Sequence, residues 1–250
     1  MSKRLKLIVS YDGKAFAGWQ SQANGNAIQD RVENAFQQIT GEHLRVHGAG
    51  RTDAGVHALG QCAHVDLIDV RGWTPARWQA ALNGLLPATI RIERCGFVSQ
   101  NFHARFSAIG KTYRYRVWNG PVLSPLENGR AWHIPIELDI KKLRTAAEKL
   151  VGEHDFAGFA ANRGTRETHT VRTIHSVRVR RAGSLMSIDF EGSGFLYKMV
   201  RMLAGILVEV GLGKSSGREI PKRLRASRKL KSKARLVAPA HGLYLVRVRY

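Results

Sequence analysis

Residues 48–61 read Gly-Ala-Gly-Arg-Thr-Asp-Ala-Gly-Val-His-Ala-Leu-Gly-Gln. Four glycines fall in these fourteen positions, with one arginine, one aspartate and one histidine between them. Glycine weakens helix and strand interiors alike, so this density predicts a backbone bent into conformations that other residues resist. A bent loop with polar side chains at its tip commonly presents them to something. Arg51 and Asp53 lie two apart and point the same way if the segment is extended. A guanidinium beside a carboxylate keeps that carboxylate ionised. The plainer alternative is an Asx-turn, with Asp53 capping its own backbone and Arg51 solvated. The loop alone does not choose between the two.

The flanking segments alternate in character. Upstream, Leu5, Leu7 and Val9 interleave with Arg4, Lys6 and Ile8 in a strand that stops at the turn signal Tyr11-Asp12-Gly13. An irregular aromatic stretch, Phe16 to Gln20, follows. A helix is expected from Asn26, with Gln29 at the capping-box position, an apolar stripe of Ile28, Val32, Ala35, Phe36 and Ile39, and Gly41 after its end. Residues 43–47 read as a short strand feeding the loop. Downstream, Ala63, Val65 and Leu67 alternate with His64 and Asp66 in another strand. Thr74-Pro75 opens a second helix with Trp78, Ala81, Leu82 and Leu85 on its buried face. Pro87 ends it, and Ile90 to Phe97 forms a strand. The order is β-α-β-β-α-β, the split βαβ plan.

The second half follows a similar plan more loosely. Lys111 to Trp118 reads as a strand with Tyr113, Tyr115 and Val117 on one face and Arg114 and Arg116 on the other. A connector at 119–138 holds Pro121, Pro125 and Pro135. Asp139 caps a helix carrying Leu143, Ala146, Ala147 and Leu150, closed by Gly152. Residues 153–170 read as a loop, and 174–190 as a hairpin turned at Ala182-Gly183. Gly192 and Gly194 are expected to open a long apolar helix that carries Arg201 and ends at Gly211. Leu243 to Tyr250 is a closing strand. The fold class is α+β, with halves at 1–108 and 109–250.

Charge narrows the partner. Lys and Arg total 40 against 19 Asp and Glu, a net charge of +21, and self-repulsion of that size suits a polyanionic partner. Three basic groups contribute: Lys111, Arg114 and Arg116; Arg163, Arg166, Arg172, Arg178, Arg180 and Arg181; and 222–235, with eight Lys or Arg in fourteen positions. The last could instead be a solvated face. No apolar run approaches the ~18–20 residues of a membrane span, and the first ten residues do not read as a signal peptide. Cys62 and Cys95 lack metal-type spacing and are expected as free thiols in a reducing, cytoplasmic setting. Gly211-Leu-Gly-Lys-Ser-Ser lacks the earlier glycine of a phosphate loop, since Val208 stands there. Position 53 is aspartate where a dinucleotide fingerprint needs its third glycine. No zinc-type histidine spacing and no serine nucleophile elbow occurs. No cofactor and no metal is expected.

Gly50-Arg-Thr-Asp-Ala-Gly-Val-His-Ala58 closely resembles the signature of the TruA family of tRNA pseudouridine synthases. The resemblance continues in order through Tyr11-Asp-Gly, Phe16-Ala-Gly-Trp-Gln, Phe102-His-Ala-Arg-Phe-Ser-Ala, Lys111-Thr-Tyr-Arg-Tyr, Gly194 to Arg201 and Ala238 to Leu245. Met202 departs from it, standing where the family has asparagine. The resemblance implies a pseudouridine synthase fold: two ferredoxin-like halves sharing a mainly antiparallel mixed sheet, with a central basic cleft. It implies isomerisation of uridine to pseudouridine in the anticodon arm of tRNA, at conventional positions 38, 39 and 40, by a cytoplasmic homodimer. Asp53 corresponds to the catalytic aspartate and Arg201 to its guanidinium partner. Tyr113 corresponds to the tyrosine that stacks on the target base, Leu243 to an apolar contact in the same pocket, and Arg51 to an arginine that holds the base out of its helix. Plain core roles for Tyr113 and Leu243, and a snorkelling one for Arg201, are the alternatives. A rival reading keeps the scaffold as an RNA-binding protein or RNA chaperone without turnover, and a weaker one makes it a ribosome-associated basic protein.

Overall fold

A computed structural model describes residues 3–23, 25–161, 169–225 and 237–250. The chain divides into two compact units, Met1–Ile109 with Tyr244–Tyr250, and Gly110–Leu243. The expected halves, 1–108 and 109–250, differ from these units in the closing strand, which belongs with the first. The first unit opens with β1 (Lys3–Tyr11), α1 (Ile28–Thr40), β2 (His47–Gly48), β3 (His57–Leu67), α2 (Pro75–Leu85) and β4 (Ile90–Val98). The second contains β5 (Gly110–Asn119), β6 (Trp132–Ile134), α3 (Ile140–Glu148), β7 (Gly152–Asp155), β8 (Val171–Ala182), β9 (Leu185–Gly192), α4 (Met199–Gly211) and α5 (Glu219–Arg225). The closing strand is β10 (Leu243–Arg249).

In the first unit the strands lie in the order β4-β1-β3-β2, all antiparallel, as the split βαβ pattern requires. Of the expected 43–47 strand only His47 takes part, joined by Gly48 just beyond it, and the two pair with His64 and Ala63. So short a β2 leaves the start of the same β3 edge open. There β10 runs parallel, Tyr244 beside His57 and Leu245 beside Ala58. Leu5, Leu7 and Val9 of β1 are fully buried, as their alternation predicts.

The helices pack on that sheet through few large residues. Ile28, Val32, Ala35 and Phe36 of α1 are buried, and Phe36 meets Trp78 of α2 with ring centroids 5.8 Å apart. The N-terminus of α1 corrects the expected cap. Ala27, not Asn26, is the capping position, and Asp30 Oδ2 accepts its N–H at 2.9 Å. Gln29 instead ties the helix to its surroundings, donating to Val46 O and Glu33 and accepting from Gln20 and Ser21 N. In α2, Thr74 caps by accepting from Arg77 N, and Trp78 and Leu82 are buried. Leu85 is exposed; Leu86, extended beyond the last turn, takes the core position expected of it.

The second unit is a sheet in the order β5-β9-β8-β7, antiparallel throughout, with β6 parallel beside β5. Its core joins Tyr115, Val117, Ile188 and Phe190 to Leu143 of α3 and Met199, Leu203 and Leu207 of α4. Asp139 Oδ1 caps α3 at 3.0 Å from Lys142 N. Three expectations are corrected here. The stretch from 153 is not all loop, because Glu153 to Asp155 pair with β8, and Gly152 begins that strand rather than closing a helix. The hairpin turns at Gly183-Ser184, since Ala182 still faces Leu185. Gly192 ends β9, and α4 starts later, at Met199, after a left-handed Lys198 with φ 59°.

Candidate functional site

The Gly50–Ala58 signature occupies the bend from β2 into β3, and its backbone is fixed from several sides. Gln61 Nε2 donates to Gly50 O at 2.7 Å, and Ala49 N donates to Cys62 O at 2.7 Å. Trp19 N donates to Thr52 O at 3.1 Å, and Val56 N closes a turn onto Asp53 O at 3.1 Å. The Thr52 hydroxyl is buried against the Tyr11 hydroxyl, 2.8 Å away. The opening Tyr11-Asp-Gly and Phe16-Ala-Gly-Trp motifs are therefore the support of the loop. Two glycines allow the approach. A Cβ on Gly13 would overlap Val56 O, and one on Gly18 would overlap Thr52 O, with φ +95° there as well.

This support decides what the loop presents. Of residues 51–53 only Thr52 is buried. Arg51 is exposed, with Nε 3.3 Å from Gln20 Oε1, and Asp53 is half-buried. His57 is buried: Gly13 N donates to its Nδ1 at 3.2 Å, and Tyr244 stacks on its ring at 4.6 Å. Asp12 Oδ1 also lies 3.2 Å from that nitrogen, so His57 joins the Tyr11-Asp-Gly motif to the loop. Tyr11, Thr52 and Gln61 were not singled out by sequence. The first two are 41 positions apart in the chain, and the signals in the sequence are that Tyr11 opens one of the resembling motifs and that Thr52 lies within the signature.

The second unit holds Tyr113, Arg201 and Leu243. Tyr113 lies on β5, buried, with its ring edge-to-face on Phe195 at 5.2 Å. Tyr115, two residues on and so on the same face, donates its hydroxyl to Pro239 O at 2.7 Å. Arg201 is in the first turn of α4; its Nε donates to Ala238 O at 2.8 Å, and Ala238 N donates back to Arg201 O. The segment before Leu243 is therefore tied both to Arg201 and to the strand of Tyr113. Burial pushes the Tyr115 hydroxyl pKa up, against the pull of the Arg201 cation. Leu243 is buried where β10 begins.

The basic groups are less uniform than their spacing suggests. Arg114 grips Asp189 with two bonds of 2.7 and 2.9 Å, and Arg180 shares the same carboxylate at 2.9 Å. Arg116 pairs with Glu127 at 2.8 Å. Arg172 and Arg181 donate to backbone carbonyls. Much of the expected basic strand face is thus engaged within the fold. Arg163 and Arg166, and 226–235 of the basic run, lie outside the described residues. Among the described residues no group of three or more His, Cys, Asp and Glu is arranged to hold a metal ion, and no helix is long and apolar enough to cross a membrane.

Comparison with known proteins identifies the family. The family model described as tRNA pseudouridine synthase matches residues 7–107 and 146–250. The chain is 44% identical to the tRNA pseudouridine synthase A of Akkermansia muciniphila over 99% of its own length and 95% of that protein's. It is 43% identical to those of Acetivibrio thermocellus and Bacillus licheniformis, covering 99% of this chain in each case and 100% and 99% of theirs.

Proposed function

From the premise that this chain belongs to the tRNA pseudouridine synthase family, we propose that it modifies the anticodon arm at positions 38, 39 and 40, with Asp53 as the group that acts on the target nucleotide. The observation that carries the assignment of Asp53 is the fixed loop. Gly50 O, Thr52 and Asp53 O are each held by a neighbour, so the one carboxylate of the signature is presented by a pre-set backbone. In the isomerisation the C1′–N1 bond breaks and C1′–C5 forms. The C5 proton leaves to solvent and N1 takes one up. The reaction is redox-neutral and intramolecular, and the reading calls on no cofactor.

The remaining roles follow the same reading. A paired uridine must leave its stack, at a cost of about a few kcal/mol, and be held by stacking and edge contacts. Tyr113 supplies an aromatic face, Leu243 an apolar wall, and Arg51, exposed beside Asp53, a cation to hold the base out. Arg201 is the guanidinium partner of the Asp53 carboxylate. Its planar fork can donate from more than one edge, which suits a residue whose Nε already serves Ala238 O. The reading makes the protein a cytoplasmic homodimer.

Tritium release from tRNA labelled at uridine C5 tests the reaction, because that hydrogen leaves only when C5 becomes the glycosidic carbon. Wild type should release tritium and Asp53→Asn should not, while tRNA affinity stays within about threefold. Release by Asp53→Asn at the wild-type rate would remove Asp53 from its role. No release by wild type, despite tight binding, would favour the RNA-chaperone reading.

A further inference from the structure

The segment Phe102–Ser107 is bound down with unusual thoroughness for a surface turn. Arg4, already bidentate to Asp66 at 2.7 Å, also donates to Gln100 O and Phe102 O at 2.6 Å. Ala104 N donates to His64 Nδ1 at 3.1 Å, and Tyr250 donates its hydroxyl to Ala104 O at 2.7 Å. His103 caps the turn from within. Its Nδ1 accepts from Arg105 N and Phe106 N, and its backbone exchanges bonds with Ser107 in both directions. A turn held this way has little conformational freedom left to lose on binding.

What this rigid turn displays is an aromatic ring. Phe106 is 77% exposed. The His103 ring lies 4.3 Å from it, and the exposed Arg105 guanidinium is 5.6 Å from its centroid. The exposed His47 ring adjoins His103 at 5.9 Å. Nothing in folding favours leaving a phenylalanine in water, since its burial is worth about 1.5–3 kcal/mol. An exposed aromatic on a fixed backbone, flanked by a guanidinium and imidazoles in a chain of net charge +21, matches a single-stranded nucleic-acid platform. There a base stacks on the ring while the cation meets its phosphate. A duplex offers no open base face, so the fit is to an unpaired nucleotide.

We propose that Phe106, with Arg105 and His103, forms a stacking subsite for an unpaired base of the bound tRNA, in addition to the Asp53 loop. The proposal rests on the reading of the chain as a tRNA-modifying enzyme. Its chemistry selects RNA rather than a protein partner, because the Arg105 cation beside the ring would be left without counter-charge under an apolar cover.

The test compares wild type with Phe106→Ala, Phe106→Leu and Phe106→Trp, each binding an unmodified tRNA transcript and a blunt-ended RNA duplex of equal length. Loss of one stacked base should weaken tRNA binding about 5- to 10-fold in Phe106→Ala. Phe106→Leu, apolar but without a π face, should behave alike, and Phe106→Trp should bind at least as tightly as wild type. Duplex binding should not change. Tritium release in single turnover at saturating enzyme should remain at the wild-type rate, and the melting temperature should hold because the side chain is exposed. Equal tRNA affinity in all four proteins would overturn the subsite, as would equal losses on tRNA and duplex. So would a change of sedimentation in Phe106→Ala with unchanged tRNA affinity, which would make the surface a contact between copies of the chain. Failure of wild type to release tritium, with binding still dependent on Phe106, would refute the proposed function and leave this subsite standing.

Discussion

Tyr11→Phe removes one oxygen and tests whether the support beneath the Asp53 loop has catalytic consequences. Tyr11 and Thr52 are both buried, and their hydroxyls are 2.8 Å apart. A neutral buried hydrogen bond contributes about 0.5–1.5 kcal/mol, and orphaning its partner raises the cost toward about 1–3 kcal/mol. The expected destabilisation is about 1–2 kcal/mol. The same figure bounds the catalytic effect. If the bond holds the loop in its competent geometry, removing it lowers that population by no more than about 5- to 30-fold. Single-turnover tritium release should therefore fall within that range, with tRNA affinity nearly unchanged, because Arg51 remains exposed. Thr52→Val cuts the bond from the other side, and Tyr11→Phe with Thr52→Val replaces both partners. If the two hydroxyls act as a unit, the double variant loses about as much rate as either single one. Strictly multiplicative losses, or a destabilised Tyr11→Phe with an unchanged rate, would refute the reasoning.

Three further outcomes are expected. His64 is buried, accepts a hydrogen bond from Ala104 N and faces Arg4, His103 and His47; burial above all pushes its pKa down to about 4. Below about pH 6.5 the unfolded chain takes up a proton that the folded one refuses. Stability present above pH 6.5 should thus decline by about 1–3 kcal/mol toward pH 4, with a shallower loss in His64→Gln, as urea unfolding at pH 7.5 and 4.5 would show. Gly18→Ala places a Cβ against Thr52 O at φ +95° and should cost about 2–4 kcal/mol and most activity, read by thermal melting and tritium release. Arg225→Glu with Lys229→Glu should weaken tRNA binding and flatten its salt slope by about two counterions; unchanged binding would make the basic run a solvated face.

The sequence was most legible where local rules act alone. Thr74-Pro75 and Asp139 cap their helices as expected, and the alternation of β1 and β5 gives the buried faces. The first cap of α1 was misread because Ala27 offers no acceptor; the bond comes only from Asp30. The loop signature was visible as a run of glycines around Arg51 and Asp53. Its support was not, because Gly50 meets Gln61 across a strand pair of two residues, and Tyr11 reaches Thr52 across an intervening helix. Such partners are fixed by strand register, which periodicity does not specify at a two-residue strand.

The arginines mark a different boundary. Composition yields the net charge of +21 but cannot say which cations the fold itself consumes. With 19 acids for 40 Lys and Arg, one carboxylate can engage more than one guanidinium, and the half-buried Asp189 takes both Arg114 and Arg180. Asp66 is held by Arg4, whose hydrogen bonds keep its pKa below the ordinary carboxylate range. These pairs hold strands in register: Arg114 and Arg180 reach Asp189 from the two neighbours of β9. The cations that serve a polyanion must come from the remainder. The charge that draws tRNA and the charge that binds the sheet are the same residue type, separated by which of them finds a carboxylate or carbonyl within the fold.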